Sequence, residues 1–84
     1  MSTFYILYSV KLDRFYIGAT SDNLNERLRR HNSNHRGFTG RTSDWTVIYF
    51  ENFHTKESAF AREREVKSWK NREKIELLIR FKNL

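Results

Sequence analysis

Two tyrosines, an arginine, a histidine and a glutamate are the side chains of this sequence with the clearest capacity for chemistry: Tyr5, Tyr16, Arg27, His31 and Glu63. Arg27 and His31 are four residues apart, so they are neighbours on one face of a helix. An always-charged, fork-shaped guanidinium suits a phosphodiester approaching its transition state. A phenol, with an unperturbed pKa of about 10, is a poor base at neutral pH unless a cation assists it. Each residue also has an ordinary interpretation, as a core tyrosine, a solvated arginine or a histidine at a helix C-terminus.

Glu63 breaks the pattern of the helix predicted around it. At about 100° per residue, Ala59, Glu63 and Val66 fall within the narrow sector that should face the core. Burying an unpaired carboxylate costs several kcal/mol, so a cation should meet it. The pattern is compatible with a salt bridge to one of the arginines, with a position at the edge of the stripe that reaches water, or with a metal ligand.

The elements that would position these side chains begin with a β-hairpin. Residues 3–10 are rich in β-branched and aromatic side chains and form the first strand. Lys11–Arg14 supplies a polar turn, and Phe15–Gly18 forms the second strand. The hairpin places Tyr5 and Tyr16 on adjacent strands.

A helix should follow the hairpin. Asn23 is a good N-cap and Glu26, three residues later, would complete a capping box. Leu24 and Leu28 mark the buried stripe, and the helix should end near His31. Arg27 and His31 lie near this stripe, which would carry them to the rim of the sheet beside the tyrosines.

The rest of the chain reads as a loop, a strand and two helices. The loop covers residues 32–44, and the strand Trp45–Phe53 should alternate, with Trp45, Val47, Tyr49 and Glu51 on one face. Thr55 should cap a helix that reaches about Trp69, and a last amphipathic helix carries Ile75, Leu78, Ile79 and Lys82. The order ββαβαα predicts an α+β fold, a small antiparallel sheet of about three strands packed by helices, as one domain over residues 1–84.

Composition favours a polyanionic partner. Lysine and arginine total 16 against 10 acidic residues, a formal charge of +6, and 15% of the residues are aromatic. Nucleic acid is the commonest such partner, although a basic surface can also serve only solubility. The absence of cysteine rules out disulfides and thiolate metal sites. No apolar run is long enough to span a membrane or resembles a signal peptide, so we expect a cytoplasmic protein.

Several basic residues outside the five are candidates for contact with a nucleic-acid backbone. The loop Gly37–Arg41 has glycine near both ends and basic residues beside it, which is typical either of a phosphate clamp or of an ordinary surface loop. The predicted nucleic-acid contacts are Arg36, Arg41, Lys67 and Lys70. His35 and His54 do not have the spacing of a metal pair.

Taken in order, these motifs resemble the GIY-YIG nuclease family, most closely its small stand-alone members. The resemblance runs from about Phe4 to about Ile79, although Thr3-Phe4 stands where the first motif has Gly-Ile. It implies a metal-dependent DNA endonuclease, in which all five residues named first are catalytic and Glu63 holds Mg²⁺ or Mn²⁺. It also implies weak sequence selectivity or selectivity for DNA structure, with DNA repair as one possible role.

Two other functions are compatible with the sequence. One is a non-catalytic nucleic-acid-binding module on the same scaffold, and the other is a nuclease that needs a protein partner or homodimer for targeting. RNA remains an alternative substrate, and the sequence leaves open whether Tyr5 or Tyr16 is the general base.

Overall fold

The computed structural model describes residues 1–33 and 35–82. It contains three strands, three α-helices and a short 3₁₀ helix. Their bounds are β1 Ser2–Ser9, β2 Arg14–Thr20, α1 Leu24–His31, the 3₁₀ helix Phe38–Arg41, β3 Thr46–Phe53, α2 Lys56–Ser68 and α3 Arg72–Lys82. The predicted α+β class and the order of elements are confirmed. Within the described ranges, no helix is long and apolar enough to cross a membrane.

The three strands form one antiparallel sheet in the order β2-β1-β3. Opposite residues in the β1/β2 pair include Tyr5 with Gly18 and Leu7 with Tyr16. Because paired residues in an antiparallel sheet point to the same face, Tyr5 and Tyr16 are diagonal neighbours on that face. The hairpin that the sequence predicts therefore forms, with the two tyrosines on adjacent strands.

The predicted alternation of β3 is wrong because a β-bulge interrupts it. Leu7 pairs with Val47, whereas the preceding residue of β1, Ile6, pairs with Tyr49. Ile48 is therefore an extra residue opposite β1, and such a residue reverses the faces of everything beyond it.

The bulge divides the residues that alternation would have placed together. Trp45 and Val47 pack with Tyr5 on one face, whereas Tyr49 packs on the other. Glu51 follows Tyr49 onto that second face. β3 thus supplies Val47 to the core on one side of the sheet and Tyr49 to the core on the other.

Each face of the sheet is covered by different elements. On the first face, Leu24 and Leu28 of α1 cover buried residues of β1 and the residue before β3, namely Tyr5, Leu7 and Trp45. On the second face, α2 packs on all three strands and α3 packs on β3, and the buried residues are Phe4, Ile6, Tyr49, Val66 and Ile75. We call these the α1 face and the α2/α3 face.

An ion-pair network closes the α2/α3 face. The Arg62 guanidinium donates to both oxygens of Glu51, from Nε at 3.0 Å and from Nη2 at 3.2 Å, and from Nη1 to Glu65 at 2.6 Å. The Tyr49 hydroxyl also donates to Glu51. Burial and the neighbouring Glu51 raise the pKa of Tyr49 to about 12. The charge of Arg62 is therefore fully paired.

The predicted helix caps form. The Asn23 side chain accepts from the backbone of Glu26 at 3.1 Å, and Thr55 accepts from the backbone of Ser58 at the same distance. The reciprocal half of the capping box does not form, because the Glu26 carboxylate accepts from Arg29 Nε at 3.2 Å instead.

Candidate active site

Gly18 makes room for Tyr5. A Cβ at Gly18 would lie 2.6 Å from the Tyr5 oxygen and 2.7 Å from Cζ, closer than side-chain atoms can approach. The ring of Tyr5 thus lies across the β2 backbone, and its side chain is 1% exposed. The glycine of the Tyr-Ile-Gly segment is needed here for space, since it pairs directly with Tyr5 in the sheet.

His31 joins both tyrosines from the last turn of α1. Its Nε2 is 2.8 Å from the Tyr5 oxygen, and its ring centroid is 4.8 Å from that of Tyr16. The helix end is held by the side chain of Asn32, which bonds to the backbone N and O of Trp45 at 2.8 and 3.0 Å. The predicted meeting of α1 with the tyrosines therefore occurs.

The loop after α1 supplies a hydrogen-bond partner for His31 that sequence reasoning missed. Thr39 Oγ1 lies 2.9 Å from His31 Nδ1 and 2.9 Å from His35 Nε2. The Thr39 carbonyl accepts from Trp45 Nε1 at 2.8 Å. A Cβ at Gly40 would lie 1.9 Å from the carbonyl oxygen of His35, so only glycine allows this crossing of the loop. The two glycines of the loop were visible in the sequence, but its inward threonine was not.

Arg27 is partly buried without a carboxylate partner. None of the ion pairs among the described residues includes it. Its Nε is buried and has no hydrogen-bond partner within the described part of the chain. The guanidinium interacts with the Tyr5 hydroxyl, which raises the pKa of Arg27, and the neighbouring Tyr16 and Asp22 side chains raise it further. The site therefore contains a cation whose charge is not neutralised.

The surroundings of Tyr5 and His31 fix the protonation states of these two buried side chains at neutral pH. Burial raises the pKa of Tyr5 to about 12, and the adjacent Arg27 guanidinium opposes part of that rise. Burial lowers the pKa of His31 to about 4, with further lowering from the neighbouring Arg27 and His35 side chains. Tyr5 is thus a protonated phenol and His31 a neutral imidazole in the free protein.

An open pocket of about 340 Å³ lies over this group. Its lining is mostly polar or aromatic and consists of Tyr16, Arg27, Arg30, His31, Ser33, His35, Gly37, Phe38 and Thr39. Tyr16 belongs to the lining, whereas Tyr5 lies beneath it. Arg30 and Phe38 also line the pocket, so a phosphate entering it would meet two arginines and two aromatic rings.

Glu63 is mostly buried and ion-paired within its own helix. Its side chain is 17% exposed, and Lys67 Nζ lies 2.7 Å from its carboxylate. Its charge contributes to the raised pKa of Tyr5, which places it near the tyrosines. The cation that meets it is therefore a lysine one turn away, whereas the sequence led us to expect an arginine if the partner was a side chain.

Glu63 is the predicted ligand of a divalent ion at this site. Among residues 1–33 and 35–82, no three His, Cys, Asp or Glu side chains are grouped so that they could hold a metal. Mg²⁺ commonly keeps several waters and uses one or two carboxylates with substrate phosphate oxygens. Glu63 fits an ion bound in that way, and it does not fit an ion held by protein ligands alone.

The four predicted nucleic-acid contacts lie in different places. Arg36 is exposed and is not part of the pocket lining. The Arg41 guanidinium lies over the Phe38 ring, 5.4 Å from its centroid. Lys67 and Lys70 line a second groove, of about 440 Å³. The other residues of this groove are mainly apolar: Phe15, Tyr16, Ile17, Phe38, Val66, Asn71 and Ile75.

Comparison with known proteins identifies the family. The model of the GIY-YIG catalytic domain matches residues 1–76 of the chain. No curated protein and no solved structure gives a significant match. The matched range contains the tyrosine pair, α1 with its loop, and Glu63. Since the match covers most of the 84 residues, this chain belongs to the GIY-YIG family of nucleases.

Proposed function

We propose that this protein is a divalent-metal-dependent DNA endonuclease that hydrolyses one phosphodiester bond per event in the pocket over Tyr16 and Arg27. The observation that carries the proposal is the unpaired charge of Arg27 at a pocket that also contains a neutral histidine and a tyrosine. A module that only binds nucleic acid needs positive charge at its surface. It does not need a half-buried arginine held against phenols.

Tyr16 is the proposed general base. A base must come within hydrogen-bonding distance of the water that it deprotonates. Tyr16 lines the open pocket, whereas the side chain of Tyr5 is only 1% exposed and keeps its proton at neutral pH. Tyr5 and His31 would then act as positioning residues behind Tyr16.

Arg27 would stabilise the charge that grows on the phosphorane. No carboxylate of residues 1–33 or 35–82 forms an ion pair with its guanidinium, so its charge is available to an incoming phosphate. Preorganised charges of this kind act mainly on the transition state, because they need no reorganisation when the reaction begins.

Glu63 would hold the divalent ion, which would supply Lewis-acid stabilisation of the leaving oxygen. The carboxylate is paired with Lys67 in the free protein, so the two cations would compete for it. We therefore expect weak metal binding without DNA, and an ammonium group released toward the DNA when the metal binds.

The substrate would be recognised through its backbone and its shape. The groove bordered by Lys67 and Lys70 adjoins the pocket through Tyr16 and Phe38, and its apolar floor suits an unpaired base better than a stacked pair. We expect flaps or single-stranded junctions to be preferred, with little dependence on sequence. Affinity for duplex DNA should fall steeply with salt, with a log–log slope near −0.9 for each phosphate neutralised.

A cleavage assay with a matched pair of variants tests the proposal. Labelled single-stranded, duplex, flap and junction DNA would be incubated with the protein, with and without Mg²⁺ or Mn²⁺. Glu63→Gln should lower cleavage by roughly 10²-fold while DNA binding persists. The control is Glu65→Gln, because Glu65 is on the same helix but is 57% exposed and pairs with Arg62.

Two outcomes would overturn the proposal. Undiminished cleavage by Glu63→Gln would remove the metal role of this residue. Tight binding of every substrate without cleavage in either metal would favour the non-catalytic module.

A further inference from the structure

A chain of four hydrogen bonds runs from the 35–39 loop to Tyr5. It comprises Gly37 N to His35 Nδ1 at 3.0 Å, His35 Nε2 to Thr39 Oγ1 at 2.9 Å, Thr39 Oγ1 to His31 Nδ1 at 2.9 Å, and His31 Nε2 to the Tyr5 oxygen at 2.8 Å. Each imidazole or hydroxyl in the middle of the chain can donate in one direction only while it is neutral.

The first bond of the chain sets the direction of the second and favours one direction for the others. A backbone amide can only donate, so His35 Nδ1 accepts from Gly37 and a neutral His35 must carry its proton on Nε2. That proton is directed to Thr39 Oγ1, and directing the single hydroxyl proton of Thr39 to His31 Nδ1 then satisfies the hydroxyl both as an acceptor and as a donor.

We infer that Thr39 and His35 are positioning residues that fix His31 as the Nε2–H tautomer, so that His31 donates a hydrogen bond to Tyr5. If His31 carried its proton on Nδ1 instead, both imidazoles would donate to Thr39 Oγ1, and the hydroxyl proton of buried Thr39 would have no acceptor among the hydrogen bonds of the described residues. Thr39 is well placed for this role because it is 2% exposed and its carbonyl is held by Trp45.

The direction of the chain decides what His31 does for the tyrosines. As a donor to Tyr5, His31 does not accept the Tyr5 proton in the resting state. The Arg27 guanidinium also lies near the Tyr5 hydroxyl and opposes part of the rise in its pKa. His31 thus orients Tyr5 and is not the first acceptor of a proton passed through it.

The tautomer can be measured directly by NMR on ¹⁵N-labelled protein near neutral pH. A long-range ¹H–¹⁵N correlation spectrum distinguishes the protonated from the bare nitrogen of each neutral imidazole. His31 and His35 should both carry the proton on Nε2, and exposed His54 serves as the control for an unrestrained ring. A proton on Nδ1 of His31 would overturn the inference even if every variant failed to fold.

Two substitutions of Thr39 separate the hydroxyl from the packing. Thr39→Val keeps the volume and removes the hydroxyl, so His31 should become a mixture of tautomers, whereas Thr39→Ser should retain the single form. Unchanged His31 signals in Thr39→Val would contradict a role for Thr39.

The catalytic part of the inference rests on the proposed function and is tested separately. Thr39→Val should lower kcat on the order of tenfold with little change in KM, and Thr39→Ser should restore it. A wild-type kcat in Thr39→Val with an altered tautomer would show that the tautomer does not matter for cleavage. The NMR result stands even if the protein cleaves no DNA, so the failure of one idea can be distinguished from the failure of the other.

Discussion

Arg62 and Arg27 are both partly buried arginines next to tyrosines, but they lie on opposite faces of the sheet and differ in what surrounds their charge. Arg62 is held by two carboxylates, and one of these also accepts from Tyr49. Arg27 has no carboxylate partner and one buried N–H without an acceptor among the described residues. The first arrangement satisfies a cation and stabilises the fold. The second leaves a charge available, which a stable fold alone does not require.

The two faces differ in the same way in their tyrosines, Tyr16 and Tyr49, and substitution of Tyr16 should have the largest effect on kcat. Tyr16→Phe should lower kcat by about 10²- to 10⁴-fold, because it removes the proposed base from the pocket beside Arg27. Tyr49→Phe should leave kcat unchanged and cost about 1 kcal/mol of stability through its lost bond to Glu51. Steady-state kinetics on one flap substrate and urea unfolding would measure both. Equal kinetic losses in the two variants would remove the distinction between the faces.

Removal of Arg62, whose charge is paired, should lower the free energy of unfolding and leave kcat unchanged. Arg62→Ala would leave Glu51 partly buried and without its main cation, so we expect a loss of about 2 kcal/mol in the free energy of unfolding. The kcat of the folded fraction should remain that of the wild type. A marked fall in kcat with unchanged unfolding would mean that Arg62 belongs to the catalytic site.

The packing of Tyr5 against β2 can be broken by one methyl group. Gly18→Ala would place a carbon 2.6 Å from the Tyr5 oxygen, so the ring must move away from its bond to His31. We expect a loss of about 1–2 kcal/mol of stability, as for other overpacked sites, together with reduced cleavage. Ala19, the next residue on β2, offers the control Ala19→Gly, which removes a methyl group. Unchanged stability in Gly18→Ala would contradict the close contact.

The last expected effect is a pH dependence that arises from His31, beside Arg27. Burial, with the charge of Arg27, lowers the pKa of His31 from 6.5 to about 4. The unfolded chain therefore binds more protons than the folded chain in this range, so the free energy of unfolding should fall as the pH drops from about 6.5 to about 4. His31→Gln should show less of this fall. Urea titrations at several pH values would measure it, and equal slopes in both proteins would refute the low pKa of His31.

Local signals in the sequence were sufficient to predict the elements and the meeting of the main site residues. Asn23 caps α1 as expected, and the spacing of Arg27 and His31 along that helix brings both to the tyrosines. The hairpin followed from β-branched and aromatic runs around a polar turn. The elements depend on residues within a few positions of each other, which is why a single sequence reveals them, and the apolar stripe of α1 indicated which face of that helix meets the sheet.

Other features depend on contacts between distant segments. A period of two cannot show an inserted residue, so the bulge at Ile48 was missed, and Tyr49 was assigned to the wrong face. The inward position of Thr39 depends on its bond to Trp45 and on the crossing of Gly40 over His35, neither of which has a local signal.

The central claim, that the unpaired charge of Arg27 acts on the transition state, is tested most directly by single-turnover cleavage with Arg27→Ala at saturating protein. We predict that the variant binds DNA at nearly the wild-type concentration and unfolds at nearly the wild-type urea concentration, but cleaves at least roughly 10²-fold more slowly. If the variant instead cleaved at the wild-type rate at saturation and lost only affinity for DNA, the account would be contradicted, and Arg27 would be only a phosphate anchor.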